Sequence, residues 1–331
     1  MTKEDITTFA PVSIPTLCRF EHFKRCIESL SRCTWAEYTD VYVALDYPTK
    51  ESHWEGYRKI KEYLESCGNM TFKSLNVVVR EKNYGFGPNG NHATIAKEIE
   101  EKYDRRIASE DDNEFSPNFL VYMNKMLERF KDDDRIYRIC GYNRNVTVPE
   151  YYKNNYYITR SYAAWGVGVW SNKRLPEKYR SYEYLKSLMT NDETYTILKD
   201  RGPSFTEGVM SMLKAKQTPK DMQIALYETF EHKYNICPII SKVRNYGNDG
   251  TGAHCPKNNI AFNSFFANQQ IDESSDFECG DDIFVMQPDG IKIPELPSSK
   301  YGIRGKLQRL IMRFDIFMLR KFHIVLHSKY I

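Results

Sequence analysis

Short apolar, β-branched runs alternate with helix-period segments through the first 140 residues, and this alternation constrains the fold more than any other feature of the chain. Phe9 to Ile14 is an apolar run ended by Pro15. Val41-Tyr42-Val43-Ala44-Leu45 is a second, ended by Asp46 and Pro48; Leu75 to Val79, Arg106 to Ser109 and Ile136 to Cys140 follow. Between them, Phe20 to Leu30 places apolar residues at 20, 23, 27 and 30, and residues 52–65 carry Trp54, Tyr57, Ile60 and Leu64 on one stripe. Residues 92–103 and 117–130 repeat the helical period. Strands separated by helices predict an α/β chain whose mostly parallel sheet is covered on both faces. Ligands of such sheets sit beyond the carboxyl ends of the strands. Four polar clusters fall there: Pro15 and Thr16 to Arg19, Asp46, Asn83 to Asn91, and Glu110-Asp111-Asp112.

The second half is less regular. Residues 182–200, 205–215 and 219–232 read as helices, and Ile236 to Val243 as a strand-like run. Asn245 to Cys255 reads as a Gly/Asn loop, and Pro294 and Pro297 mark a linker before a basic tail. With 331 residues, 41% hydrophobic and 27% charged, the chain has enough apolar surface for a large core. That excludes a disordered or collagen-like chain. No uninterrupted apolar stretch is long enough for a transmembrane helix, and the amino terminus lacks the basic start and apolar run of a signal peptide. The eight cysteines form no CxxC pair, so reduced core thiols in a cytoplasmic protein are expected.

Gly85-Phe86-Gly87-Pro88-Asn89-Gly90 fits GxGxxG, with Glu110 twenty residues on. A dinucleotide fingerprint makes its tight turn directly after the strand, so that the helix amino terminus meets the pyrophosphate. Here Arg80 to Tyr84 intervene, two strand–helix units precede it, and the acidic end is triple. A nicotinamide or flavin site is therefore not expected.

Glu110-Asp111-Asp112 ends a strand. Adjacent carboxylates repel unless a cation neutralises them. A hard divalent ion accepts one or two carboxylates and completes its shell with phosphate oxygens, chemistry suited to a nucleotide diphosphate leaving group. A solvated acidic turn is the plain alternative, and Asp132-Asp133-Asp134, with no strand before it, reads as one.

Taken together, these pieces resemble a nucleotide-sugar glycosyltransferase of the GT-A fold, best over residues 9–255. Val12-Ser13-Ile14-Pro15-Thr16-Leu17-Cys18-Arg19 resembles the opening strand and loop that hold the base, and Asp46 the acid that contacts the nucleoside. Asn83 to Asn91, including Gly87, resembles the family's asparagine/glycine loop. Glu110-Asp111-Asp112, followed by an acidic residue, Pro and Phe, is similar to the inverting N-acetylglucosaminyltransferase branch. The resemblance implies a GT-A domain over 1–295, with a nucleotide half to about 145 and an acceptor half from about 146. It implies a UDP-sugar donor, and Mn2+ or Mg2+ held by Asp112, with Glu110 at the nucleoside and Asp111 between them. Further along, Asn245-Tyr246-Gly247-Asn248-Asp249-Gly250-Thr251-Gly252-Ala253-His254 resembles a loop of bacterial surface-polysaccharide transferases, which makes His254 a second metal or diphosphate ligand. Asp221 sits where those sequences carry an acid, after Lys220 rather than Trp.

Inverting transfer needs a carboxylate that takes the proton of the attacking hydroxyl. Asp221 is the candidate, with Glu207 and Asp192-Glu193 as rivals; a first-turn acid favoured by the helix dipole is the plain alternative. Trp165 and Gly166, in the aromatic segment Tyr162 to Trp170, are candidates for a sugar floor, whereas Trp170 reads as a core tryptophan. Arg19 could neutralise a phosphate.

Residues 300–331 hold eight Lys or Arg against Asp315 alone, leaving 39 basic and 43 acidic residues elsewhere. From Leu307, apolar residues fall at 307, 310, 311, 314, 317, 318, 322 and 325. This is an amphipathic helix with basic residues, the pattern of an anionic membrane surface; docking on the core or on a second subunit, in a homodimer, is the alternative. Nucleic acid is not expected, because the body is acidic and no groove-reading motif occurs. The expectation is thus a peripheral enzyme at the cytoplasmic membrane face, acting on a lipid-linked or growing surface glycan. A retaining transferase, a nucleotidyltransferase and a non-catalytic glycan- or membrane-binding scaffold remain open as alternatives.

Overall fold

Residues 1–66, 70–252, 264–266, 268–280, 289–294 and 303–326 are described by the computed structural model. The chain divides into two compact units, Met1–Lys173 with Tyr234–Leu296, and Arg174–Lys233 with Pro297–Ile331.

The first unit is built on an eight-stranded sheet. Its strands are β1 (Val12–Thr16), β2 (Asp40–Leu45), β3 (Ser74–Val79), β4 (Arg105–Ala108), β6 (Ile136–Cys140), β7 (Tyr156–Thr159), β8 (Val167–Trp170) and β9 (Tyr234–Pro238), in the order β3-β2-β1-β4-β8-β6-β9-β7. Pairs β1–β2, β2–β3, β1–β4 and β6–β9 are parallel; β8 runs antiparallel to β4 and β6, and β7 to β9. A short β5 (Asn113–Phe115) pairs antiparallel with β10 (Val243–Asn245) in a separate ribbon. The mixed, mostly parallel Rossmann-like sheet expected from the alternation is therefore present.

Helices cover the sheet because their apolar spacing matches the 3.6-residue turn. α1 (Phe20–Ser31) buries Phe23, Cys26, Ile27 and Leu30, and α2 (Trp54–Ser66) buries Tyr57, Ile60 and Leu64. α3 is Asn91–Glu100. α4 (Phe119–Arg129) is buried from Phe119 to Glu128, so its polar side chains need partners. Asn124 Oδ1 accepts from the Ala10 N–H (2.8 Å), Lys125 Nζ donates to the Phe277 carbonyl (2.7 Å), and Glu128 pairs with Arg105 (2.7 Å). Trp170 is buried and donates its indole N–H to Leu127 O (3.2 Å), the core role expected of it.

Three expectations are corrected. Pro15 does not end the first strand: β1 pairs with β2 through Thr16, but with β4 only at Val12 and Ser13. At Pro15 one side of the strand carries no ladder, so the missing N–H costs nothing. Residues 182–200 are two helices, α5 (Tyr182–Thr190) and α6 (Asp192–Asp200), because Asn191 turns extended and its side chain accepts from Thr194 N. The run 236–243 is split between β9 and β10 by a turn in which Ser241 Oγ bonds the Val243 carbonyl (2.7 Å).

The second unit is helical: α5, α6, α7 (Pro203–Ala215), α8 (Lys220–Phe230) and α9 (Ile303–Phe322). Its core holds Leu185, Leu188, Met189, Val209, Leu213, Ile316 and Leu319. No helix among the described residues is long and apolar enough to cross a membrane.

Candidate active site

The carboxyl ends of β1, β2, β3 and β4 bring the four polar clusters to one edge of the sheet. At its centre stands Arg19, the residue before α1. Its Nη2 bonds Asp111 Oδ1, and its Nη1 lies 2.8 Å from Asp112 Oδ2. That second contact is ionic rather than directional, since Nη1 has no aligned acceptor. Thr16 Oγ1, at the end of β1, donates to Asp111 Oδ2 (2.9 Å). Both carboxylates are more than nine-tenths buried. Burial pushes the Asp111 carboxyl above its ordinary range even with Arg19 beside it. The guanidinium, opposed by its own burial but flanked by two carboxylates, is held more firmly protonated than usual.

The loop after β10 closes over these acids. Asn245 Nδ2 donates to Asp112 Oδ1 (2.6 Å) and to Asn113 Oδ1 (3.0 Å), while its Oδ1 accepts from Gly247 N (3.0 Å). The Tyr246 N–H bonds the Asp112 carbonyl (2.8 Å). A Cβ on Gly247 would stand 2.1 Å from Asp112 Oδ2, so only glycine permits this approach. From α1, His22 Nε2 lies 3.2 Å from Asp249 Oδ2, and the Arg25 guanidinium stacks on the Tyr246 ring (4.1 Å). Burial would raise the Asp249 carboxyl, but hydrogen bonds from Thr251, then His22 and Arg19 nearby, take it below its ordinary range.

Asp46 is tied to the neighbouring loop. It accepts from the N–H groups of Tyr47 (2.9 Å), Tyr84 (2.8 Å) and Gly85 (2.9 Å) and from Asn83 Nδ2 (3.3 Å). Asn91, buried at the start of α3, donates to Ala44 O (2.7 Å) and accepts from Arg80 Nε (3.1 Å). Gly87 is exposed in the same loop, Pro15 faces Ala44 within the sheet, and Glu110 is partly buried. Thr16, Arg19, Asp111 and Asp112 thus form one bonded cluster, and Asp46, Asn83 and Asn91 anchor the loop that borders the same strand ends.

Trp165 belongs to an aromatic cluster of the first unit, edge-on to Tyr142 (4.6 Å) and Phe266 (5.1 Å) and still partly exposed. Gly166 is a packing glycine: its φ is +64°, and a Cβ would meet Val243 Cγ2 at 2.8 Å. Asp221 is exposed on the first turn of α8, in the second unit. Of its rivals, Asp192 is paired with Arg320 (2.5 Å) and Glu207 lines a groove beside α9. His254 lies outside the described residues.

A divalent ion needs open carboxylate oxygens. Here Asp111 is shared by Thr16 and Arg19, and Asp112 by Asn245 and Arg19. Among the described residues, no group of three His, Cys, Asp or Glu side chains could hold an ion. The oxygen chemistry suits Mn2+ or Mg2+, but the donors fit one only when Arg19 releases Asp112 Oδ2.

Residue-type reasoning did not find His22, Asn245 or Gly247 individually. The available signals were the placement of Arg19 and His22 at the start of a helix-period segment behind a strand end, and the Asn-x-Gly one residue after an apolar run.

No family model and no curated protein matches the chain significantly. Among solved structures, the mannosyltransferase PcManGT from Pyrobaculum calidifontis, in complex with GDP-Man and Mn2+, is 11% identical, over 68% of this chain and 70% of that one, with a TM-score of 0.39. Staphylococcus aureus TarS 1–349 is 15% identical over 67% and 72%, with a TM-score of 0.34. The glycosyltransferase GlyE of Streptococcus pneumoniae TIGR4, in its apo form, is 14% identical over 69% and 44%, with a TM-score of 0.30.

Proposed function

We propose that the chain is a GT-A glycosyltransferase that moves a hexose or N-acetylhexosamine from a UDP-sugar to a hydroxyl of a lipid-linked or growing surface glycan. The observation that carries this reading is the buried Arg19–Asp111–Asp112 cluster at the carboxyl ends of β1 and β4, bordered by the Asp46-anchored loop and covered by Asn245–Thr251. Strand carboxyl ends are where an α/β sheet receives a nucleotide. Main-chain N–H groups fixed by Asp46 shape the wall of that edge, and Trp165 offers a partly exposed ring for the apolar face of a sugar.

In this reading Asp112, once released by Arg19, would hold a divalent ion, Mn2+ or Mg2+, which would supply charge neutralisation for the diphosphate leaving group. The base is Asp221, which takes the acceptor's proton in an inverting displacement; Asp192, already paired with Arg320, is the weaker rival. The tail helix belongs to the same reading, at the cytoplasmic face of a membrane that carries the acceptor. Calorimetric titration with UDP, with and without Mn2+, tests the donor assignment. Saturable binding to the wild type that is lost in Asp112→Asn is expected. An absence of UDP binding under both conditions removes the reading.

A further inference from the structure

The second unit carries a surface that its own fold does not use. α9 has two apolar faces. One is docked: Ile316 and Leu319 are buried among Leu185, Met189, Val209 and Leu213, and Asp315 is buried in an ion pair with Lys214 of α7. Residues 312, 315, 316 and 319 share this side, following the helical period. The other face points outward. Leu307, Leu310, Ile311, Phe314, Phe317 and Phe322 are each about half exposed, between 49% and 64%. At 100° per residue Leu307, Leu310, Phe314 and Phe317 lie roughly opposite the docked row, and Ile311 and Phe322 flank it. A soluble fold normally scatters exposed apolar side chains; six on one helical face, in one contiguous row, mark an interaction surface.

The charge that α9 itself exposes has one sign. Arg309, Arg313 and Lys321 are exposed along α9, and its only acid, Asp315, is buried. Where α9 meets α6 and α7 there is a groove of about 610 Å³ whose lining includes Lys199, Arg313, Phe317 and Lys321, with Glu207 as its acid. Arg320, in the same groove, is fixed: it donates to Met189 O (2.9 Å) and Asp192 (2.5 Å), and its guanidinium stacks on Tyr195 (3.7 Å). A cationic groove directly beside a row of Leu and Phe matches the two layers of a bilayer interface, anionic headgroup and acyl boundary. A second protein copy would present its own row and its own cations, and cation would then face cation.

We infer that the outward face of α9 docks the chain on an anionic lipid bilayer, with Phe314 and Phe317 in the acyl boundary and a headgroup phosphate in the Lys199–Arg313–Lys321 groove. This deepens the proposed function and rests on it only for the lipid-linked acceptor; the docking itself is measured without turnover. α9 lies on such a surface rather than through it, since its other face is committed to the second unit.

The test is sedimentation of the full chain with vesicles of phosphatidylcholine containing 30% phosphatidylglycerol, against phosphatidylcholine alone. Binding to the anionic vesicles, at least tenfold tighter than to neutral ones, is expected. Arg313→Gln with Lys321→Gln should weaken it about 30-fold, from roughly 1 kcal/mol per cation near an anionic surface. Leu310→Ser with Phe314→Ser should abolish it without lowering the melting temperature, because both side chains are already exposed. Inorganic phosphate at millimolar concentration should leave vesicle binding unchanged. No binding to anionic vesicles, or equal binding by the Leu310/Phe314 variant, overturns the inference. So does a wild-type dimer that this variant converts to monomer. UDP binding measured on the same preparations reports on the proposed function separately.

Discussion

Replacing Arg19 by alanine removes the one guanidinium that compensates two neighbouring carboxylates, each more than nine-tenths buried. Taking one partner out of a buried ion pair costs about 3–5 kcal/mol, because the charge left behind has lost both water and its counter-ion. Arg19 is itself 23% exposed, so water reaches the vacated space and the lower end, about 3 kcal/mol, applies. In a unit of this size each kcal/mol moves the melting temperature by roughly 2–4 °C, so a fall of about 6–12 °C is expected in a thermal scan without metal. The variant also frees Asp111 Oδ1 and Asp112 Oδ2. Millimolar Mn2+, without nucleotide, should then restore about 2–3 kcal/mol, as a ligand at a hundred times its dissociation constant does, and should shift the wild type much less. Arg19→Lys should fall between, since an ammonium cannot fork across two carboxylates. A variant that melts with the wild type, or one that Mn2+ does not raise, would show that the guanidinium is not standing where a cation is needed.

Gly247→Ala places a methyl 2.1 Å from Asp112 Oδ2; the loop must withdraw, and the variant should lose UDP affinity more than tenfold by calorimetry while keeping its far-ultraviolet circular dichroism. Acid should weaken the first unit between about pH 5 and pH 2. Burial would raise Glu128, but bonds from Lys131, Thr7 and Arg105 hold it at about 2; burial likewise opposes Asp272, which Asn118 and Lys242 hold at about 2. Both carboxyls are depressed, so their stabilisation, roughly 2–3 kcal/mol apiece, is present above the unfolded-state values and disappears as pH falls through the folded ones. Urea midpoints that do not drop between pH 6 and pH 3, or that drop equally in a Glu128→Gln, Asp272→Asn variant, refute it.

The elements legible in the sequence are those with a helical period or with an apolar run bounded by polar residues, among them α4, buried from Phe119 to Glu128, and the wholly buried β4 and β6. α1 and α2 show their period because one face meets water, and β2 is bounded by polar residues at both ends. β7 and β8, four residues each, are too short to stand out from a segment dense in Tyr, Asn and Gly, and the insertion of β8 between β4 and β6 is a long-range pairing that no local pattern records. The site divides in the same way. The strand-end position of Thr16, Asp46 and Asp111 follows from the alternation of elements. The pairing of Arg19 with acids 92 and 93 positions away does not, and neither does the use of Asp46 as an acceptor for four donors. Asn191 shows a third kind of gap: the apolar period runs through it, and only its capping bond to Thr194 divides the helix.

The charge at this edge has a consequence for any donor that binds there. Glu110, Asp111, Asp112 and Asp249 stand on neighbouring loops, with Arg19 as the guanidinium paired to two of them. A diphosphate brings further negative charge, and like charges in a partly buried setting repel by several kcal/mol at an effective dielectric constant near 20. Redirecting Arg19 toward the phosphates does not solve this alone, because it uncovers Asp111 and Asp112 as it covers the ligand. An additional cation would: held by Asp112 in place of the guanidinium, it would leave Arg19 its bond to Asp111 and would lower the negative sum at the edge. Asn91 and Asn245 spend their hydrogen bonds inward. Neutral amides of this kind can fix the loops around a charged ligand without adding net charge to the field it must overcome.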